Sequence, residues 1–295
     1  MTGSVWVDAA LFGILGLLIG SFLNVVIHRL PRMMQQEWKE ECAAYAREQG
    51  LVAEANGGEA APPRYNLLVP RSQCPHCQHL IRWYENIPVL SYLVLRGRCA
   101  NCHAPISLRY PLVELACGLL FFFCAVRWGW SASALAWCAF SAVLLAAACI
   151  DWDTTLLPDD LTLPLLWAGL LAAVAHYTSV SVTDAVLGAA FGYLSLWCVY
   201  WGFKLATGKE GMGYGDFKLF AALGAWFGWQ ALVPIILLAS VIGALVGIAL
   251  KLKGGLREGK YVPFGPFLAG GGFAALLWGP QQIMHALLGT LGPGA

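Results

Sequence analysis

Long apolar runs dominate this chain: the segments near 6–27, 111–127, 132–150, 161–177, 184–203, 217–228, 231–250 and 266–288 are nearly free of charge. A helix needs about 20 predominantly apolar residues to cross a bilayer, where no water reaches the backbone and every N–H and C=O must pair within the segment. Eight runs predict an all-α polytopic membrane protein with about eight transmembrane helices. The run at 217–228 is the shortest. It crosses fully only if it extends into its flanks, or else it is a half-helix covered by its neighbours. Of the 295 residues, 59% are hydrophobic and 12% charged, against roughly 25% charged in a soluble domain. That balance excludes a conventional soluble enzyme. With 18 Lys and Arg against 17 Asp and Glu, the net charge offers no nucleic acid a purchase.

Orientation follows from where the basic residues fall, because cytoplasmic loops carry the excess of Lys and Arg. With eight crossings, one side receives residues 28–110, 151–160, 204–216 and 251–265, and with Lys218 it holds 17 of the 18 basic residues; the other side has Arg127 alone. The first side is therefore predicted to be the cytoplasm. The first apolar run lacks a basic stretch before it and is followed by His28, Arg29 and Arg32, so it reads as a retained anchor and not as a cleaved signal peptide. The organisation expected is a first transmembrane helix at 1–27, a cytoplasmic insertion at 28–110 and a helical membrane domain at 111–295.

Within the insertion, residues 33–60 are polar and rich in Ala and Glu, which predicts a surface helix fading into a Gly-Gly linker. The next stretch carries Cys74-Pro-His-Cys77 and, after 21 residues, Cys99-Ala-Asn-Cys102. Two CxxC pairs at that separation can each offer two thiolates to one tetrahedral ion, and zinc is the natural occupant. Disulfides compete with that reading, but a cytoplasmic loop is reducing. Four protein ligands leave no open position, so the ion would fold a small zinc-knuckle module and not catalyse. His76, His79 and His103 lie beside the knuckles and are read as bystanders.

Acids inside or at the edge of a span are costly enough to suggest function. Five lie at the cytoplasmic ends of the runs: Asp151, Asp153, Asp159 and Asp160 in one loop, and Asp216 in Gly213-Tyr-Gly215-Asp216. Asp159 or Asp160 suits a helix N-cap, and Asp153 a solvated loop charge. Asp151 abuts the apolar run ending at Ile150 and is the least solvated of its group. Two carboxylates brought within a few ångströms share one proton, a state suited to peptide hydrolysis. On spacing alone Asp151 and Asp216 form such a dyad, or they only cap helices or bind Lys218. A transporter with acids at its helix ends and a thiol oxidoreductase using the CxxC pairs are the competing classes.

Taken together, Gly20-Ser-Phe-Leu-Asn-Val-Val-Ile-His-Arg-Leu-Pro31, the CxxC pairs, Ile150-Asp-Trp-Asp-Thr-Thr-Leu-Leu-Pro-Asp159 and Gly213-Tyr-Gly-Asp216 resemble the type IV prepilin leader peptidases of bacteria. These are GxGD membrane aspartic proteases that also methylate the new N-terminus. The resemblance implies that Asp151 and Asp216 are the catalytic pair, with Asp153 and Asp159 as neighbours. It implies as substrate a prepilin or pseudopilin, of a type IV pilus or type II secretion system, whose basic leader is cut after a Gly at the cytoplasmic face of the inner membrane. S-adenosylmethionine is then the implied methyl donor. No glycine-rich nucleotide fingerprint places its site, and the Gly20–Pro31 segment and the insertion are candidates only through the family.

Overall fold

The computed structural model describes residues 5–49, 65–252 and 262–289. They form ten α-helices: α1 (Val5–Glu48), α2 (Leu90–Val94), α3 (Arg109–Trp128), α4 (Ala132–Thr154), α5 (Asp159–Val174), α6 (Val182–Thr207), α7 (Tyr214–Phe227), α8 (Leu232–Leu252), α9 (Gly265–Trp278) and α10 (Pro280–Gly289). Among the described residues, five helical segments are long and apolar enough to cross a membrane: α1, α3, α4, α6, and α8 with the turn before it. The chain is thus an all-α polytopic membrane protein.

Of the about eight expected spans, several are shorter than a full crossing. Helix α5 has 16 residues and α7 has 14, and the run at 266–288 is split into α9, of 14 residues, and α10, of 10. At 1.5 Å per residue, 14 residues rise about 21 Å, short of a hydrocarbon core about 30 Å thick. Local chemistry sets these lengths. Gly279, at φ +89°, ends α9, and Pro280 opens α10, an ordinary stop and start pair. Gly228, at φ +82°, ends α7 in the same way.

The chain divides into two compact units, one of residues 1–12 with 120–295 and the other of residues 13–119. In the first, α7 is the centre. Every residue from Asp216 to Trp226 except Lys218 is buried, so this short helix is the half-helix covered by its neighbours. Gly188 of α6 and Gly224 of α7 meet backbone to backbone, where a Cβ on either would collide with the other's carbonyl. Small residues of this kind let membrane helices approach closely enough for dispersion to hold them. On the α5 side, Trp226 is fully buried and its indole N–H donates to the Leu165 carbonyl at 2.8 Å.

In the second unit, Leu23, Val26, Ile27 and Leu30 form the buried stripe of α1, at the i, i+3, i+4, i+7 spacing of one helix face. Helix α1 does not stop at the end of its apolar run: it continues through Pro31 to Glu48, so the helix expected after residue 33 is the same helix. Proline removes one backbone hydrogen bond, and the good helix formers after it carry the helix on. Residues 50–60 of the expected linker lie outside the described residues. Asn24 donates to the Tyr110 carbonyl at 3.1 Å, and Arg29 donates to the carbonyls of Asn66 at 2.8 Å and Pro70 at 2.6 Å. Glu114, buried, accepts the Val89 N–H at 2.7 Å. Asn24 and Arg29 of the Gly20–Pro31 segment therefore hold backbone carbonyls of their own unit.

Candidate active site and metal centre

Asp151 sits in the last turn of α4, which Thr155 closes in the left-handed conformation. Asp216 is the third residue of α7, after Gly213 at the N-cap. These are opposite kinds of position. An acid in the first turn of a helix faces the positive end of the dipole, and one in the last turn faces the negative end. Asp216 stands where the acid of a capping box would, with the Gly213 N–H facing its carboxylate. Asp151 gains nothing from its own helix. What faces it is the start of α9, where the Gly265 N–H points at the carboxylate.

The two side chains come together. Asp151 is 4% and Asp216 7% exposed, and each carboxylate lies within the electrostatic reach of the other. Asp151 Oδ2 and Asp216 Oδ1 are fully buried and have no hydrogen-bond partner among the described residues. A buried carboxylate oxygen left unpaired is expensive, and here two occur, on carboxylates near enough for the charge of Asp151 to act on Asp216. Asp153, Asp159 and Asp160 are exposed. The N-cap of α5 is Pro158, not Asp159 or Asp160 as expected, because the fixed φ of proline already suits the turn into the helix. Asp159 instead takes Lys218 through both oxygens, at 2.6 and 2.7 Å. Lys218 thus pairs with Asp159 and joins the start of α5 to the first turn of α7.

Three chain segments build this site, and the sequence pointed to two. The third is the start of α9, in Pro263-Phe-Gly265-Pro266. A Cβ on Gly265 would stand 2.5 Å from Asp151 Oδ2 and 2.9 Å from Leu157 Cδ1. Leu157 also packs on Gly215, where a Cβ would stand 2.5 Å from the leucine Cβ. The loop from α4 to α5 is thereby wedged between the starts of α7 and α9. A glycine between two prolines at the head of an apolar run was the available signal, but without a partner in sequence it reads only as a helix start. A cleft of about 180 Å³ at the other helix ends, lined by Arg127, Trp128, Trp137 and Phe227, contains no acid.

The cysteines form their own centre in the other unit. The four sulfurs of Cys74, Cys77, Cys99 and Cys102 lie within 4.8 Å of one another, with Cys74 to Cys102 at 3.7 Å and Cys77 to Cys99 at 4.0 Å. All four are free thiols, far beyond the 2.05 Å of a disulfide. A tetrahedral ion with 2.3 Å metal–sulfur bonds needs sulfurs about 3.8 Å apart, so the donor set fits one. The two knuckles are repeats of one turn. Cys74 N–H donates to His79 and Gln78 N–H returns to Cys74; Cys99 N–H donates to Ala104 and His103 N–H returns to Cys99. Gln78 and His103, each four residues after the first cysteine, are both left-handed, at φ 57° and 55°. The turns also tune the thiols. Cys77 is pulled down to about 6, first by the His79 backbone N–H and then by the Asn101 side chain. At Cys102, the Ala104 N–H lowers the value, but burial and the three other sulfurs outweigh it and push the thiol up to about 12. His79 is engaged by Glu85 at 3.1 Å, as a bystander to the sulfurs.

Known proteins resemble this chain along most of its length. Residues 14–128 match the family model of the bacterial peptidase A24 N-terminal domain, and residues 138–248 that of the type IV leader peptidase family. The prepilin leader peptidase/N-methyltransferase of Aeromonas hydrophila is 54% identical over 94% of this chain and 93% of its own length. Proteins of the same description from Burkholderia pseudomallei strain 1026b, at 53% over 94% and 86%, and from Stutzerimonas stutzeri, at 54% over 91% and 90%, are similar. No solved structure is significantly similar. With two family models matched in sequence order and whole-length relatives above half identity, the chain belongs to the type IV leader peptidase family.

Proposed function

We propose that Asp151 and Asp216 are the catalytic pair with which this enzyme cleaves the leader from prepilins or pseudopilins, before the new N-terminus is methylated. The observation that carries the reading is the pair of buried, unpartnered oxygens, Asp151 Oδ2 and Asp216 Oδ1, on two carboxylates that feel each other's charge. Two adjacent carboxyls hold one proton between them. The ionised member takes a proton from water as the water oxygen attacks the scissile carbonyl carbon. The protonated member donates to the carbonyl oxygen. When the C–N bond breaks, the carboxyl that took the water's proton passes it to the amine, a hydroxyl of the intermediate returns its proton to the other carboxylate, and the leader keeps the new carboxyl group. Asn at either position removes the proton exchange but keeps the shape. Asp151→Asn and Asp216→Asn should each abolish leader cleavage in a gel-shift assay on a purified precursor, while the variants still insert and fold. Full cleavage by either would reject the pair.

For the second activity, S-adenosylmethionine supplies the electrophilic methyl group that the newly exposed α-amine accepts. The family similarity supports this step, and no residue is assigned to the donor. Cys74, Cys77, Cys99 and Cys102 hold a zinc ion, which supplies no chemistry to either reaction and closes the two turns into one module. One zinc per chain, released by a chelator together with protection of residues 65–108 from protease, is the result that tests it.

The same reading keeps the domain division 1–27, 28–110 and 111–295, with eight crossings in which α5, α7 and the α9–α10 pair count despite their length. Its support is the charge count, 17 basic residues to one, which also puts the loops bearing Asp151 and Asp216 at the cytoplasmic face of the bacterial inner membrane. The apolar outer faces of the long helices meet lipid.

A further inference from the structure

We propose that Gly265 is a positioning residue of the peptidase, the seat against which the Asp151 carboxylate is held facing Asp216. This rests on the assignment of Asp151 and Asp216 as the catalytic pair. Asp151 is an acid in the last turn of α4, where the helix's own unpaired carbonyls repel it, so its orientation must be fixed from elsewhere. Only 4% of the residue is exposed and its Oδ2 has no hydrogen-bond partner among the described residues. The flank of that oxygen is the Cα of Gly265: any side chain there would begin 2.5 Å from Oδ2. Real Cβ atoms do not come so close to an oxygen, so with a methyl at 265 the carboxylate or the start of α9 must move by roughly 1 Å. The neighbourhood offers no easy escape. The same Cβ would stand 2.9 Å from Leu157 Cδ1, and Leu157 is itself wedged on Gly215, one residue before Asp216. The glycine's N–H meanwhile points at the Asp151 carboxylate. Gly265 therefore does two things: it turns its N–H toward the acid, and by lacking a side chain it lets the acid sit down on the helix start.

A displacement of about 1 Å at a reacting group costs on the order of 100-fold in rate. Gly265→Ala keeps the N–H and adds only the methyl, so kcat for leader cleavage should fall about 100-fold while KM changes less than threefold. The decisive variant is the double change Gly265→Ala with Leu157→Ala. Truncating Leu157 removes the Cδ1 that traps the methyl but keeps the Cβ that packs on Gly215, so the start of α9 can shift away from Asp151. That double variant should recover at least tenfold of the lost kcat. Cleavage at the wild-type rate by Gly265→Ala would overturn the proposal. So would equal losses in the single and double variants, or a loss carried by KM, since an unfolded or generally loosened protein gives no rescue on further truncation. Asp151→Asn and Asp216→Asn run alongside: if they still cleave, the catalytic pair is wrong; if they are dead while Gly265→Ala is fully active, only the seat is.

Discussion

Cys74 and Cys77 are held by a turn of six residues, and Cys99 and Cys102 by a second turn with the same hydrogen bonds and the same left-handed residue. Asp151 and Asp216 depend on three helix ends that are remote in sequence: the end of α4, the start of α7 and the start of α9. In the knuckles each thiol takes its place from neighbours a few residues away, and the four sulfurs already stand at the spacing an ion needs. In the acid pair two buried oxygens are left without hydrogen-bond partners among the described residues, a cost that a merely structural site would not retain. The lesson is that a metal module can be specified locally, whereas a strained electrostatic pair must be enforced by tertiary packing around it.

That contrast can be broken at either end. The largest effect belongs to the acids. Asp151→Asn or Asp216→Asn should lower leader cleavage by at least about 10³-fold, the upper part of the range for removal of general acid–base catalysis, with thermal stability unchanged or raised because a buried charge is gone. A large loss of stability would mean that the acids are structural. Cys74→Ser should do the reverse. It should lose the zinc proposed for the four sulfurs, read by metal analysis, and open residues 65–108 to proteolysis; retained metal would show that Cys74 is not a ligand.

Smaller effects sharpen the comparison. The Lys218–Asp159 pair is bidentate but only partly shielded, with the aspartate side chain 54% exposed. Lys218→Ala should cost about 0.5 kcal/mol of stability and a few-fold in cleavage through loosening of the first turn of α7. The exchange of Asp159→Lys with Lys218→Asp should restore most of both. No restoration would assign Lys218 another role. The smallest effect is at Glu85. The Arg82 N–H foremost, and then His79, hold its carboxyl below the ordinary value of 4.5. A lowered folded value means that its contribution is full above the ordinary value and is lost as pH falls through the lowered one. Glu85→Gln should therefore lower the knuckle module's stability slightly at neutral pH and flatten the acid side of its curve, so that variant and wild type converge as the pH falls below about 4.5. Hydrogen exchange at the Arg82 amide measures it.

Particular residues show what was readable in advance. The spacing of the CxxC pairs foretold a four-sulfur cluster, because each pair is its own turn. The apolar run ending at Ile150 marked Asp151 as the least solvated acid of its loop, and it is buried while Asp153, Asp159 and Asp160 are exposed. The expected cap at Asp159 or Asp160 was misplaced, since Pro158 takes the cap and the ion pair between Asp159 and Lys218 joins residues whose proximity no local pattern reveals. Span counting did not foresee how short α9 and α10 are, for a similar reason. Hydropathy registers that a run is apolar, and α7 is apolar because other helices bury it, not because it is long enough to meet lipid on its own.

The sequence by itself determined that this is a helical membrane protein, where its acids stand relative to its apolar runs, and that its four knuckle cysteines belong together. Each of those properties is carried by near neighbours along the chain, through hydropathy, charge or turn geometry. Only the tertiary structure decided that the start of α9 completes the acid site, that Gly265 must lack a side chain there, and that Lys218 answers Asp159. These are steric and electrostatic contacts between distant segments, and the closeness they require comes into being only when the helices pack.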